Sequence, residues 1–119
     1  ETLLALAASV HMAALGPEGL REVAAGCVLN AHRMAEALVG VGARVVFDRP
    51  YFKEVAVRPP GTLRIEELNR RLLDRGFLGG YDLGRDDEQM EGCWLVCATE
   101  NRTQEEIDGF ARAVAEVTR

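Results

Sequence analysis

The chain has 119 residues, of which 48% are hydrophobic and 28% charged, and its net charge is −5. That length suits one domain with one modest core. The acidic balance, with 14 Lys and Arg residues scattered along the sequence, argues against a nucleic-acid partner, which needs clustered cations to meet phosphates.

The sequence opens on Glu1 rather than Met, and no basic segment precedes the apolar start. A longer parent protein and no signal peptide are therefore expected. Thr2 to Leu15 reads as a helix that is apolar almost all round, through Leu3, Leu4, Leu6, Val10, Met12 and Leu15. Such a helix needs cover on most sides, and a buried helix is expected. The charge-free run from Thr2 to Pro17, with His11 inside it, is too short for an ordinary membrane span, so no membrane partner is expected. Gly16-Pro17 should end this helix and start the next, since proline suits a first helical position.

The second helix runs from about Pro17 to Val39. Its apolar stripe is Leu20, Val23, Ala24, Cys27, Val28, Ala31, Met34, Ala35 and Leu38, and Gly40 and Gly42 stop it. Two β-rich runs follow, Ala43 to Asp48 and Lys53 to Arg58. In the second, Val55 and Val57 alternate with Glu54, Ala56 and Arg58, which predicts a sheet with one packed face. After Pro59-Pro60-Gly61, Thr62 is expected to cap a third helix reaching about Arg75, with Leu63, Ile65, Leu68 and Leu72 inward and Gly76 at its end.

A glycine-rich strand, Leu78 to Leu83, leads to a polar acidic loop from Gly84 to Gly92. Cys93 to Ala98 is a dense β run that belongs in the centre of the sheet. Thr103-Gln-Glu-Glu106 is a capping box ahead of a last helix whose inner face is Ile107, Phe110, Ala111, Val114 and Val117. The fold class predicted is α+β: one domain over residues 1–119, a small, mostly antiparallel sheet with helices on one face.

Sites of chemistry are hard to find in this order of residues. Ser9, the only serine, lies in the apolar first helix without the glycines of a nucleophile elbow. Cys27 and His32 are five apart, a poor spacing for one helix face. His11 and His32 each stand alone on a helix, as packing or rim residues. Three cysteines, Cys27, Cys93 and Cys97, make neither a disulfide framework nor a zinc motif; they read as buried small hydrophobes in a reducing, cytoplasmic compartment. Gly76, Gly79, Gly80 and Gly84 do not open a helix after a strand as dinucleotide-binding glycines do, so tight turns and close backbone approach explain them better. Asp86, Asp87 and Glu88 lack the ligand alternation of a calcium loop. Lys53, the only lysine, reads as a salt-bridge partner or edge-strand guard. No catalytic, cofactor-binding or metal-ligating residue is assigned on these grounds.

Several blocks, in order, resemble the alpha-type subunit (subunit 1) of the glycine-cleavage P-protein. They are Thr2 to Ala8 with Leu15 to Leu20; Ala31-His32; Phe47-Asp48 and Pro50 to Phe52 with Glu54 and Val57-Arg58; Gly76, Leu78 to Tyr81 and Leu83 to Arg85; and Leu95 to Cys97, Thr99-Glu100, Arg102-Thr103 and Glu105 to Asp108. The resemblance implies the small C-terminal domain of a fold-type-I pyridoxal-phosphate enzyme, with the large cofactor-binding domain lying upstream. It implies glycine decarboxylation, with the aminomethyl group passed to the lipoyl arm of the H-protein. It also implies a related beta subunit that carries the Schiff-base lysine and holds pyridoxal phosphate, none being expected on this segment. Arg85, in the block Leu83 to Arg85, is the candidate for substrate or interface contact near the shared cleft; the alternative is a loop arginine paired with Asp86, Asp87 or Glu88. Two departures bear on these contacts: Asp86-Asp87 stand where the family has aromatics, and Lys53 where it has a small polar residue. The readings left open beside this one are the same domain from another pyridoxal-phosphate enzyme, such as a cysteine desulfurase, and a non-enzymatic ligand-sensing or interaction module.

Overall fold

The computed structural model of the chain describes all 119 residues. Its elements are α1 (Thr2–Gly40), β1 (Arg44–Val45), β2 (Glu54–Arg58), α2 (Ile65–Leu73), β3 (Tyr81–Asp82), two 3-10 turns (Leu83–Arg85 and Glu88–Met90), β4 (Trp94–Cys97) and α3 (Gln104–Val117). The strands form one antiparallel sheet in the order β1-β2-β4-β3. The expected α+β class and the central place of the Cys93 to Ala98 run are both observed.

Alternation along β2 and β4 divides the sheet into two faces. Val55, Val57, Trp94 and Val96 join a core completed by Met34, Ala35 and Leu38 of α1, Ile65, Leu68 and Leu72 of α2, and Ile107, Phe110 and Val114 of α3. Ala56 and Leu95 face each other across the two strands on the opposite side. Trp94 is fully buried and stacks on Phe110, with ring centroids 5.6 Å apart.

The break foreseen at Gly16-Pro17 is present inside α1: Gly16 has φ 65 and ψ −178. That combination is accessible to glycine almost alone, and Pro17 disfavours helical geometry in the residue before it. The two arms differ sharply in environment. Burial begins at Cys27 and continues through Ala31, Met34, Ala35 and Leu38, while Leu20 and Val28 of the expected stripe stay exposed. The arm Thr2 to Leu15 is not the buried helix its composition predicts, since Leu3, Leu4, Leu6, Val10 and Met12 are all at least half exposed. No element of this chain lies over it.

Local chemistry explains the other boundaries. Thr62 does not cap the third helix; Arg64 occupies that position without a side-chain hydrogen bond, so α2 is shorter than expected. Glu66 and Glu67 in its first turn and Arg70 and Arg71 in its last complement the helix dipole. Gly76 closes it at φ 82, where Gly76 N–H donates to Leu73 O (2.9 Å) and Phe77 N–H to Leu72 O (3.0 Å), the paired bonds of a Schellman motif. Only Tyr81 and Asp82 of the predicted glycine-rich strand pair with β4, and Leu78 is 85% exposed. The capping box of α3 forms as expected: Glu106 N–H donates to Thr103 Oγ1 (3.2 Å) and Thr103 N–H to Glu106 Oε2 (2.8 Å).

Candidate functional site

The segment from Gly76 to Gly92 carries the irregular backbone of the domain, and one side chain that sequence reasoning passed over holds it in place. Asn69 of α2 donates from Nδ2 to Gly80 O (2.7 Å) and accepts from Trp94 Nε1–H at Oδ1 (3.1 Å). A Cβ on Gly79 would overlap Asn69 Oδ1, and one on Gly80 would overlap Leu95 O. The glycines are therefore spent on close approach within the chain, as their setting in sequence suggested. Beyond them, Asp82 Oδ1 accepts from Gly84 N–H (3.1 Å) and Asp87 Oδ1 from Gln89 N–H (2.9 Å), each opening a 3-10 turn. These aspartates thus shape the loop.

Arg85 ends the first of these turns and is exposed. It forms no ion pair within 4.0 Å; the pairing with Asp86, Asp87 or Glu88 weighed as the alternative is not made. The Asp86 carboxylate beside Tyr81 holds that phenol above its ordinary range, with Arg85 pulling weakly the other way. The guanidinium is left available to a group outside the chain.

Two open clefts flank the sheet. One, about 670 Å³, lies between the Gly76 to Tyr81 segment and the start of α3, over Val96, Ile107 and Phe110. The other, about 610 Å³, lies on the opposite face of the sheet among Phe47, Tyr51, Leu83, Met90 and Leu95. Neither is lined by a serine, histidine or lysine, nor by Arg85. No three His, Cys, Asp or Glu side chains converge as a metal site would require.

The remaining reactive side chains act as joints. Cys27 Sγ donates to Glu100 Oε2 (3.1 Å), so this hydrogen bond first, and burial second, raises the thiol above its ordinary range and makes it a poor nucleophile. The same bond lowers the Glu100 carboxyl. Asn30, the one buried polar residue, donates from Nδ2 to Thr99 O (2.9 Å) and Arg102 O (2.7 Å). Together these contacts lock α1 to the turn before α3. Cys93 is buried as expected, but Cys97 is exposed: its place near the end of β4 leaves it outside the packed helices. His32 is an exposed rim residue, with Nδ1 bonded to Val28 O (2.8 Å) and its ring stacked on Tyr51 at 4.4 Å. Lys53 is exposed and in no ion pair, so the expected salt bridge is not formed.

No protein-family model matches the chain. A protein named probable glycine dehydrogenase (decarboxylating) subunit 1 from Anoxybacillus flavithermus is 43% identical over 116 residues, covering 98% of this chain and 25% of that protein. The protein of the same name from Thermomicrobium roseum is 44% identical over 117 residues, again covering 98% of this chain and 26% of its own. A crystal structure of glycine decarboxylase (P-protein) of the glycine cleavage system, in inhibitor-bound form, superposes with a TM-score of 0.82 at 38% identity, over 91% of this chain and 24% of that one. The chain is homologous to one segment of the glycine dehydrogenase (decarboxylating) subunit 1 family.

It spans about a quarter of the length of these glycine dehydrogenase relatives. Some of the blocks that carried the resemblance fall at joints of the fold. Leu15 to Leu20 holds the break in α1. The Pro50 to Phe52 block places Tyr51 against both the core and His32. Gly76 and Leu78 to Tyr81 form the segment that Asn69 clamps, and Thr99-Glu100 receives α1.

Proposed function

We propose that this chain is the small C-terminal domain of an alpha-type subunit of cytoplasmic, pyridoxal-phosphate-dependent glycine decarboxylase. In this reading the assembled enzyme decarboxylates glycine and passes the aminomethyl group to the lipoyl arm of the H-protein, and a large domain of the same subunit lies upstream. The observation that carries it is the match along nearly the whole chain to proteins named glycine dehydrogenase (decarboxylating) subunit 1, at 37% identity for the Oceanobacillus iheyensis protein and 44% for the Thermomicrobium roseum one. The shared fold with glycine decarboxylase supports it further.

Pyridoxal phosphate supplies an electron sink for the carbon left when carbon dioxide departs. The residues of this chain do not fit that group. Lys53, the only lysine, stands exposed just before β2 and lines neither cleft. The close-packed glycines are closed against Asn69 and Leu95, and carboxylates crowd the neighbouring loop. In this reading the cofactor is therefore held mainly by the lysine-bearing beta subunit, and this domain contributes shape and closure. Closure matters because a dry pocket strengthens every charge contact inside it. Arg85, exposed and with no ion pair in the chain, is the candidate in this reading for contact with that subunit or with a glycine carboxylate.

The test is glycine–carbon dioxide exchange by the full-length parent, alone and mixed with its copurifying partner. Exchange is expected only from the mixture, with the pyridoxyl-lysine found in the partner. A parent that absorbs as an internal aldimine and exchanges carbon dioxide unaided would overturn the assignment to a non-catalytic subunit. In the active mixture, Arg85→Ala is expected to slow exchange; unchanged kinetics would return Arg85 to a surface role.

A further inference from the structure

The cleft of about 610 Å³ on the face of the sheet away from the helices holds two charges that the fold leaves unpaired. Its floor is Ala56 and Leu95, which face each other across β2 and β4, and its walls include Phe47, Leu83 and Met90. One cation and one anion enter this apolar setting, Arg49 and Glu54. Neither forms an ion pair within 4.0 Å, with the other or with any residue of the chain.

The backbone behind both charges is held. Glu54 opens β2 opposite Cys97, and alternation puts it on the same face as Ala56. Arg49 lies in the loop joining β1 to β2. Val46 N–H donates to Ala56 O (2.9 Å) at one end of that loop, and Lys53 O accepts from Ala98 N–H (2.9 Å) at the other. Between them Tyr51 pins the loop, its ring stacked on His32 of α1 at 4.4 Å and packed against the core. The stack restrains the segment that carries Arg49.

A ligand suited to this arrangement presents an anion, a cation and an apolar body at once. A simple carboxylate or phosphate would satisfy Arg49 but be repelled by Glu54, and an amine alone would do the reverse. A purely apolar molecule would strip water from both charges and pair neither. The zwitterion of an α-amino acid meets all three demands. Its carboxylate accepts a forked pair of bonds from a guanidinium, its ammonium donates to a carboxylate, and its side chain covers the half-buried Leu83, Met90 and Leu95. The volume is ordinary for a small-molecule site. We propose that this cleft binds a free α-amino acid with an apolar side chain, held between Arg49 and Glu54. Burial of an isobutyl group against these walls favours leucine over glycine by about tenfold or more. The site needs no residue of another subunit and no cofactor, so it stands or falls apart from the function proposed above.

The test is equilibrium dialysis of radiolabelled L-leucine against the full-length parent alone. Saturable binding is expected, with a dissociation constant of about 1 mM or tighter. Unlabelled glycine should displace leucine at least about tenfold less well than leucine itself does. Leucinamide, which lacks the carboxylate, and N-acetyl-leucine, which lacks the ammonium, should each be at least about tenfold poorer competitors too. Arg49→Gln and Glu54→Gln alter exposed side chains without ion-pair partners, so both should fold as the parent does, checked by circular dichroism. Each should weaken leucine binding at least about tenfold. Absence of saturable binding up to about 10 mM leucine overturns the assignment. So does binding that either variant leaves unchanged, or glycine or either analogue competing as well as leucine. Carbon dioxide exchange by the parent unaided would sink the proposed function and leave this site untouched.

Discussion

Replacing Asn69 with alanine removes two hydrogen bonds that join three separate parts of the chain. Trp94 has no exposed surface, so its Nε1–H loses its partner in a place water does not reach in the native packing. A buried donor left unpaired costs about 1–3 kcal/mol, and the lost bond to Gly80 O adds about 0.5–1.5 kcal/mol. Water entering the vacated space would satisfy part of this, so the expected destabilisation is about 2–3 kcal/mol. Trp94 is the only tryptophan. Urea unfolding of the chain followed by its fluorescence, checked by circular dichroism, therefore reports the change at the perturbed site. For a domain of this size the midpoint temperature should fall by roughly 10 °C. The double variant with Trp94→Phe isolates the pair, because phenylalanine has no donor to strand. The indole contact should then appear as a coupling of about 1 kcal/mol or more. Loss of less than about 0.5 kcal/mol in Asn69→Ala, or no coupling, would refute the view that Asn69 clamps the glycine-rich segment.

Three further outcomes follow from burial and electrostatics. The thiols should separate under a small maleimide, with Cys97 labelled quickly and Cys27 and Cys93 slowly in the folded chain. Because the folded Cys27 thiol is raised, its contribution to stability is complete below the unfolded thiol range and is lost as pH rises through the folded value; a stability loss on the acid side instead would contradict the Glu100 contact. Glu67, hydrogen-bonded first by Arg70 and then by Arg71, has its carboxyl lowered to about 2. Its contribution is present above the unfolded carboxyl range and disappears as pH falls through about 2, so a carbon-detected titration should show Glu67 still ionised at pH 3.

Much of this fold was legible because its elements carry signals that depend on nearby residues alone. The stripe from Cys27 to Leu38, the alternation at Val55 and Val57, and the box Thr103 to Glu106 each state a period or a cap within a few positions. The failures share a different cause. Asn69 looks like any polar helix residue until Gly80 and Trp94, distant in sequence, are brought to it. Asn30 is likewise indistinguishable from a surface residue before Thr99 and Arg102 arrive. The first arm misled for the opposite reason. Its composition predicts a buried helix, but whether a helix is buried depends on what packs beside it, and no other element of this chain does. Nor does local pattern hold a catalytic site: Lys53 and Arg85 stand beside carboxylates in sequence yet form no ion pair in the fold. The functional reading therefore rests on resemblance.

The order β1-β2-β4-β3 has a consequence for how the domain comes into being. Its two central strands, β2 and β4, are separated in sequence by α2, β3 and both 3-10 turns. The side-chain hydrogen bonds that tie the opening helix to other elements all reach residues from Thr99 onward, through Cys27–Glu100, Asn30–Thr99 and Asn30–Arg102. Contacts so far apart must meet the entropy of closing long loops before they stabilise anything. During synthesis the Cys27 and Asn30 bonds therefore cannot form until the segment from Thr99 to Arg102 has been made. The fold is thus completed by contacts that join its first and last quarters, the class of contact that forms late in folding.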